Sequence, residues 1–153
     1  AREVLESGIV AGYPVVDVRV LLLGGSFHEV DSSDLAFSIA ASMAVREAVP
    51  QGNPALLEPI MRIDVVCPDE YTGEVINDLT GRRGRVERME LQGALRRVRG
   101  FAPLAELFGY ANDIRSRTQG RVSHSMEFSH YEEVPPSIAN QIMERTGGSY
   151  QFV

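Results

Sequence analysis

The sequence predicts an α+β fold in two parts, an incomplete βαβ-type half domain followed by a ferredoxin-like βαββαβ domain. Turn-forming residues concentrate at positions 50–54 and divide the chain near Leu57. After this point, apolar patterns of strand and helix period follow in the order strand, helix, strand, strand, helix, strand. Before it, one apolar strand lies between two helices, which is too little to form a sheet. We therefore expect two domains, at residues 1–57 and 58–153.

The first part begins with a short helix and a strand. Ala1–Ser7 has the pattern of the end of a helix that Gly8 stops. The apolar run Val15–Leu23 predicts a strand that is covered on both faces. Because a single strand needs hydrogen-bond partners, we expect further strands to complete this half domain.

A longer helix is predicted after the turn at residues 24–26. Asp31 is the expected N-cap, and Val30 and Leu35 are expected to form a hydrophobic staple across it. Apolar side chains repeat at helical spacing as far as about Ala48, where the helix is expected to end.

The second part contains a complete set of elements for a ferredoxin-like domain. The predicted elements are a strand at Met61–Cys67, a helix from Pro68 to about Gly81, a hairpin of Arg85–Leu91 and Leu95–Ala102 around Gln92-Gly93, a helix at Leu104–Ile114, a strand at Val122–Phe128 and a terminal helix from Pro135.

Arginine is concentrated in one stretch of the chain. Ten arginines and four acidic residues lie between Arg82 and Arg121, a local charge of +6, whereas the whole chain carries −6 and contains no lysine. Arginine pairs bidentately with phosphate, so the stretch predicts a nucleic-acid contact, and a solvated charged face is the alternative.

Catalytic signatures are missing from the sequence. It has no GxxxxGK[ST] phosphate loop, no HExxH, no GxSxG and no CxxC, so we expect these residues to hold no nucleotide and to catalyse nothing. Cys67 is the single cysteine, which excludes an internal disulfide and a multi-cysteine zinc site. No apolar run has the length of a membrane span and no leader is recognisable, so we expect a cytoplasmic protein.

Two local patterns suggest chemistry only weakly. His28 lies beside Glu29 and Asp31, a set that could act as an acid–base centre but is typical of an exposed turn. The three histidines, His28, His124 and His130, have no zinc-ligand spacing, and His124 is expected to pack against the core.

Arg99-Gly100-Phe101-Ala102 matches the opening of an RNA-recognition signature in the third strand of a βαββαβ domain. The next position should be aromatic and is Pro103, and the first strand offers only Met61 and Ile63 as stacking partners. We therefore expect ordinary strand packing here.

Several ordered motifs together resemble one family. They are Gly12-Tyr13-Pro14-Val15-Val16-Asp17-Val18, Ser26-Phe27-His28-Glu29-Val30-Asp31-Ser32-Ser33, Leu56-Leu57-Glu58-Pro59-Ile60-Met61, Gly73-Glu74-Val75-Ile76, Arg82-Arg83-Gly84, Pro103-Leu104-Ala105-Glu106-Leu107-Phe108-Gly109-Tyr110-Ala111, Arg115-Ser116 with Thr118-Gln119-Gly120-Arg121, and Met126-Glu127-Phe128. From about Gly8 to Ile142 the chain resembles elongation factor G. Val122 and His124 depart from the family pattern, which more often has a small residue and an aromatic there.

The resemblance implies a function on the ribosome. Residues 1–57 would be the C-terminal half of domain IV and residues 58–153 domain V with a C-terminal helix. The parent would be a GTPase that promotes tRNA–mRNA translocation, with GTP and magnesium bound in an N-terminal domain. The resemblance assigns Ser26, Phe27 and His28 to a tip loop that contacts the decoding region. We name five candidates for rRNA contact: Arg82, Arg83, Arg85, Arg115 and Arg121.

Three alternatives stay open at this stage. They are the same region of a paralogous ribosomal GTPase (a recycling, mitochondrial or tetracycline-protection factor), a stand-alone βαββαβ RNA-binding module, and a small acid–base enzyme centred on His28. Because a half domain leaves a sheet edge and apolar helix sides uncovered, we also expect a homo-oligomer.

Overall fold

A computed structural model describes all 153 residues. The elements in chain order are α1 (Arg2–Ser7), α2 (Asp34–Gln51), β1 (Leu57–Pro68), α3 (Thr72–Gly81), β2 (Arg85–Gln92), β3 (Leu95–Pro103), α4 (Tyr110–Arg117), β4 (Ser123–Glu133) and α5 (Pro136–Thr146). They divide into two compact units, a first unit of residues 1–56 and 134–153 and a second unit of residues 57–133. The mixed helix and strand content confirms the α+β class.

The second unit is a four-stranded antiparallel sheet with the strand order β2-β3-β1-β4. Together with α3 after β1 and α4 after β3, this is the ferredoxin-like arrangement that the sequence predicts. Short 3-10 turns at Asp69–Tyr71 and Leu104–Glu106 precede the two helices, so each helix begins later than its apolar pattern suggested. The hairpin turn lies at Gly93-Ala94, one residue after the predicted position.

The core of the second unit lies between the sheet and its two helices. Ile63, Val65 and Cys67 alternate along β1 toward the helices, and each is almost completely buried. They pack with side chains of α3 and α4, among them Val75, Leu79, Tyr110 and Ile114. The period of two in β1 fixes its other residues, such as Arg62 and Asp64, on the helix-free face of the sheet.

In the first unit, the predicted strand at Val15–Leu23 is wrong. The structure has no strand there, and residues 16–23 are exposed along their length. The amide of Val15 donates to the carbonyl of Leu5 at 2.8 Å, while no ladder forms beyond it. A strand needs a neighbouring strand for its hydrogen bonds, and the first unit contains none.

The predicted start of α2 is also wrong. Its N-cap is Ser33, whose hydroxyl accepts a hydrogen bond from the amide of Ala36 at 3.1 Å, rather than Asp31. Val30 and Leu35 are both exposed, so no staple forms between them. The helix continues past Ala48 to Gln51 and contains Pro50 in its last turn.

The C-terminal helix α5 packs within the first unit. Val134, Ala139, Met143 and Phe152 form its small core, and the side chain of Asn140 bonds both the amide and the carbonyl of Phe152. This differs from the sequence analysis, which attached the helix to the ferredoxin-like domain. The exposed apolar side chains of residues 16–23 and α2 are consistent with association, and the expected homo-oligomer stays a prediction.

Candidate nucleic-acid interface

Of the eleven arginines at residues 57–133, all except Arg115 pair with a carboxylate of the same unit. The second unit holds thirteen acidic residues against these eleven, so its net charge is −2. Most of the partner acids lie on β1, α3 and β4, outside the stretch from Arg82 to Arg121. The local charge of +6 in the sequence is therefore largely neutralised once the chain is folded.

Arg82 is the most enclosed of the five candidates for rRNA contact. Its side chain is 14% exposed, and its Nε donates to Asp78 at 2.9 Å while its Nη2 donates to Asp113 at 2.5 Å. Its Nη1 donates to the carbonyls of Glu106 at 2.7 Å and Phe108 at 3.3 Å. With these donors occupied, Arg82 holds the loop before α4 in place and has little left to offer a phosphate.

Arg83 has a similar structural role. Its two terminal nitrogens donate to both oxygens of Glu58 at 2.8 Å, and its Nε donates to Glu106 at 3.0 Å. The hydrogen bonds to Glu58, and then to Glu106, raise the pKa of Arg83 despite its partial burial. This bidentate pair joins the turn after α3 to the start of β1.

Arg85 lies on the helix-free face of the sheet. It donates to Glu132 at 2.6 Å and 3.2 Å, and its guanidinium lies 5.2 Å from the centre of the Phe101 ring. Hydrogen bonds from Arg85 and then from His130 lower the pKa of Glu132 to about 2. The ring of His130 meets that of Phe101 edge to face at 5.8 Å, so these groups form one connected cluster.

The same cluster shows whether the RNA-recognition pattern at residues 99–102 offers a free aromatic ring. Phe101 projects from the helix-free face, but Arg85 and His130 lie against its ring. Ile63 is completely buried on the opposite face, and Met61 packs against the same core. The β1 and β3 positions of this pattern therefore lack the pair of open aromatic rings that stacks bases in RNA-recognition domains.

Arg115 is the most available of the five candidates, and Arg121 is more exposed than Arg82 and Arg83. Arg115 is exposed on α4 and pairs with no carboxylate. Arg121 is exposed, pairs with Glu70 at 2.8 Å and lies 5.9 Å from the centre of the Tyr71 ring. Burial and then the charge of Arg115 lower the pKa of His124, whose ring packs edge to face on Tyr110 at 5.7 Å, as expected of a core-facing histidine.

The tip-loop candidates lie in an exposed turn of the first unit. The amide of His28 donates to the hydroxyl of Ser32 at 2.7 Å, and the amide of Ser32 donates to the carbonyl of His28 at 3.1 Å. The amides of Val30 and Asp31 donate to Nδ1 of His28 at 3.3 Å and 3.4 Å. The Asp31 carboxylate is also 3.4 Å from Nδ1. In the neutral ring, the two amide donors favour the tautomer with the proton on Nε2. Ser26 and Phe27 are exposed beside it.

Two other kinds of site find no support in the structure. No group of three or more histidine, cysteine, aspartate or glutamate side chains has the geometry of a metal site. Among the helices, none combines the length and the apolar character needed to cross a membrane.

Comparison with known proteins agrees with the fold of both units. The profile described as elongation factor G, domain IV, matches residues 1–53, and the profile described as elongation factor G C-terminus matches residues 55–142. A crystal structure of a protein from Thermus thermophilus has a TM-score of 0.83 and 44% sequence identity to this chain. The similarity covers 97% of this chain and 23% of that chain.

A domain IV segment followed along the chain by a ferredoxin-like unit defines part of a translation elongation factor. The chain belongs to the elongation factor G family. Because both matches run consecutively along one chain, a stand-alone RNA-binding module and an acid–base enzyme are not favoured.

Sequence reasoning missed two features of the surface. The arginine partners on β1 and β4 are distant in sequence, whereas Asp78 lies four residues before Arg82, a spacing that could have suggested this pair. Phe108 was expected within an amphipathic helix, but Gly109 adopts a left-handed φ of 78° and the helix begins only at Tyr110. Phe108 is thereby left exposed.

Proposed function

We propose that these residues are the ribosome-contacting part of a GTPase that promotes tRNA–mRNA translocation. The observation that supports this most strongly is the consecutive match to domain IV and to the C-terminal domain of elongation factor G over residues 1–53 and 55–142. In this proposal the residues contain no catalytic centre. GTP and magnesium bind in a separate domain, since the sequence here has no phosphate-binding loop.

The proposed contacts fall on both units. The turn that carries His28 is the contact with the decoding region, because it is exposed and closed by its own hydrogen bonds. Arg115 and Arg121 are better candidates for the rRNA contact than Arg82 and Arg83, because the donors of Arg82 and Arg83 are occupied within the second unit.

The test of the proposed function uses a complete elongation factor G whose C-terminal part is replaced by these 153 residues, hereafter the complete factor. Translocation is followed by the movement of fluorescent mRNA on bacterial ribosomes. We expect the complete factor to move mRNA. A truncated factor that lacks these 153 residues is expected to hydrolyse GTP without moving mRNA. A complete factor that splits ribosomes but does not move mRNA would contradict translocation and favour a recycling factor.

Arg115→Gln in the complete factor is expected to weaken ribosome binding and to lower the slope of log K against log salt by about one unit, the effect of losing one phosphate contact. Arg62→Gln is the matched control, because Arg62 is also exposed but pairs with Glu127 on the helix-free face. Binding is measured by pelleting at several salt concentrations. An unchanged slope for Arg115→Gln would remove this arginine from the RNA interface.

A further inference from the structure

The loop before α4 presents an aromatic side chain to solvent. Phe108 is 81% exposed, and Leu104 on the same loop is 40% exposed. Single exposed apolar residues are common in proteins and need no explanation by themselves. Residues 104–109, hereafter the Phe108 loop, differ from such cases because the second unit holds the backbone of this loop rigidly.

Three kinds of contact hold the Phe108 loop. The Nη1 of Arg82 donates to the carbonyls of Glu106 and Phe108, and the Nε of Arg83 donates to the carboxylate of Glu106. Leu107 is buried in the core between them. An aromatic side chain on a fixed backbone loses little further freedom on binding, which is the property of residues that dominate protein interfaces.

The charges around the Phe108 loop disfavour a nucleic acid there. Four carboxylates, on Glu58, Asp78, Glu106 and Asp113, contact three guanidinium groups, those of Arg82, Arg83 and Arg117, so the local sum is −1. Glu106 and Asp113 are the acids of this group that reach solvent. Carboxylates repel phosphate, whereas they complement the basic surface of a protein.

We propose that the Phe108 loop is a docking surface for a basic protein that receives Phe108 in an apolar pocket. This rests on the proposed function, in which the available basic proteins are those of the ribosome. The loop is then a protein contact that is separate from the RNA contact at Arg115.

The test uses the complete factor bound to bacterial ribosomes with a non-hydrolysable GTP analogue. A photo-reactive p-benzoylphenylalanine replaces Phe108, and in a control it replaces Met89, an exposed apolar residue of β2. We expect the probe at position 108 to crosslink to a ribosomal protein and the probe at position 89 to give no such product. Phe108→Ala is expected to weaken binding roughly tenfold or more without changing the thermal unfolding of the factor.

The other outcomes separate the hypotheses. A crosslink from position 108 to rRNA, or none while the factor is bound, would overturn the docking surface and leave the proposed function intact. An unchanged affinity of Phe108→Ala would overturn it as well. A complete factor that does not pellet with ribosomes would contradict both.

Discussion

Asp78→Ala is expected to lower the free energy of unfolding of the second unit by about 3–5 kcal/mol, the range for removing one partner of a buried ion pair. The Asp78 side chain is 5% exposed and accepts from Nε of Arg82 at 2.9 Å. It also lies 3.3 Å from Nε of Arg117. Without this carboxylate, Arg82 remains enclosed with one acid partner, Asp113, which is exposed. The loss of Asp78 is therefore expected to cost far more than the loss of a surface pair.

Glu74→Ala is the matched control on the same helix. Glu74 is 50% exposed and pairs with Arg117 at 3.4 Å, so its removal is expected to cost less than about 1 kcal/mol. Cys67 gives a measurement that is specific to the second unit, because it is the single cysteine and is buried in that core. Thiol labelling of Cys67 against urea concentration then reports the unfolding of this unit alone. Equal midpoints for Asp78→Ala and Glu74→Ala would show that the network around Arg82 does not stabilise the unit.

The ferredoxin-like unit could be predicted because its signals are local. Met61, Ile63, Val65 and Cys67 alternate within one strand, and the structure places them on the helix-facing side of β1. Such a period specifies both the element and its buried face, whatever lies elsewhere in the chain. The same alternation assigns the intervening polar residues of β1 to the opposite face of the sheet.

The half domain could not be predicted in the same way. The run Val15–Leu23 is apolar enough for a strand, but a strand becomes one only through hydrogen bonds to another segment. The first unit offers no such segment, so the run forms no strand and residues 16–23 are exposed. The apolar run therefore has a preference for strand structure, but it can form a strand only when a partner strand is present.

The pairing of the candidate arginines could not be predicted either, because it depends on contacts that form only in the folded unit. Charge counted along the sequence treats Arg82 and Arg83 as free, although Glu58 and Asp78 approach them only in the folded unit. The motif Arg82-Arg83-Gly84 is tightly built: a side chain at Gly84 would lie 2.5 Å from the carbonyl oxygen of Leu79. Packing and loop attachment therefore explain this motif without any contact with RNA.

His28→Ala in the complete factor is expected to slow tRNA–mRNA movement roughly ten- to a hundredfold, because a hydrogen bond to a charged group contributes about 1.5–3 kcal/mol. The His28 side chain is 66% exposed. Its Nδ1 accepts from the amides of Val30 and Asp31, which leaves Nε2 of the neutral ring as the donor for a partner. The hydrogen bonds between His28 and Ser32 fix the backbone beneath it, so the donor is held in position before contact.

The controls for His28 separate a contact from a structural or catalytic role. Glu29→Ala alters the neighbouring exposed residue and is expected to leave the rate nearly unchanged. His28→Gln keeps an N–H donor and is expected to recover part of the rate, which a loss of turn stability would not allow. Ribosome-stimulated GTP hydrolysis is measured in parallel and is expected to stay the same for all three variants, since the nucleotide binds in another domain. If hydrolysis falls as much as movement, or if neither changes, then His28 does not act at the tip of the factor.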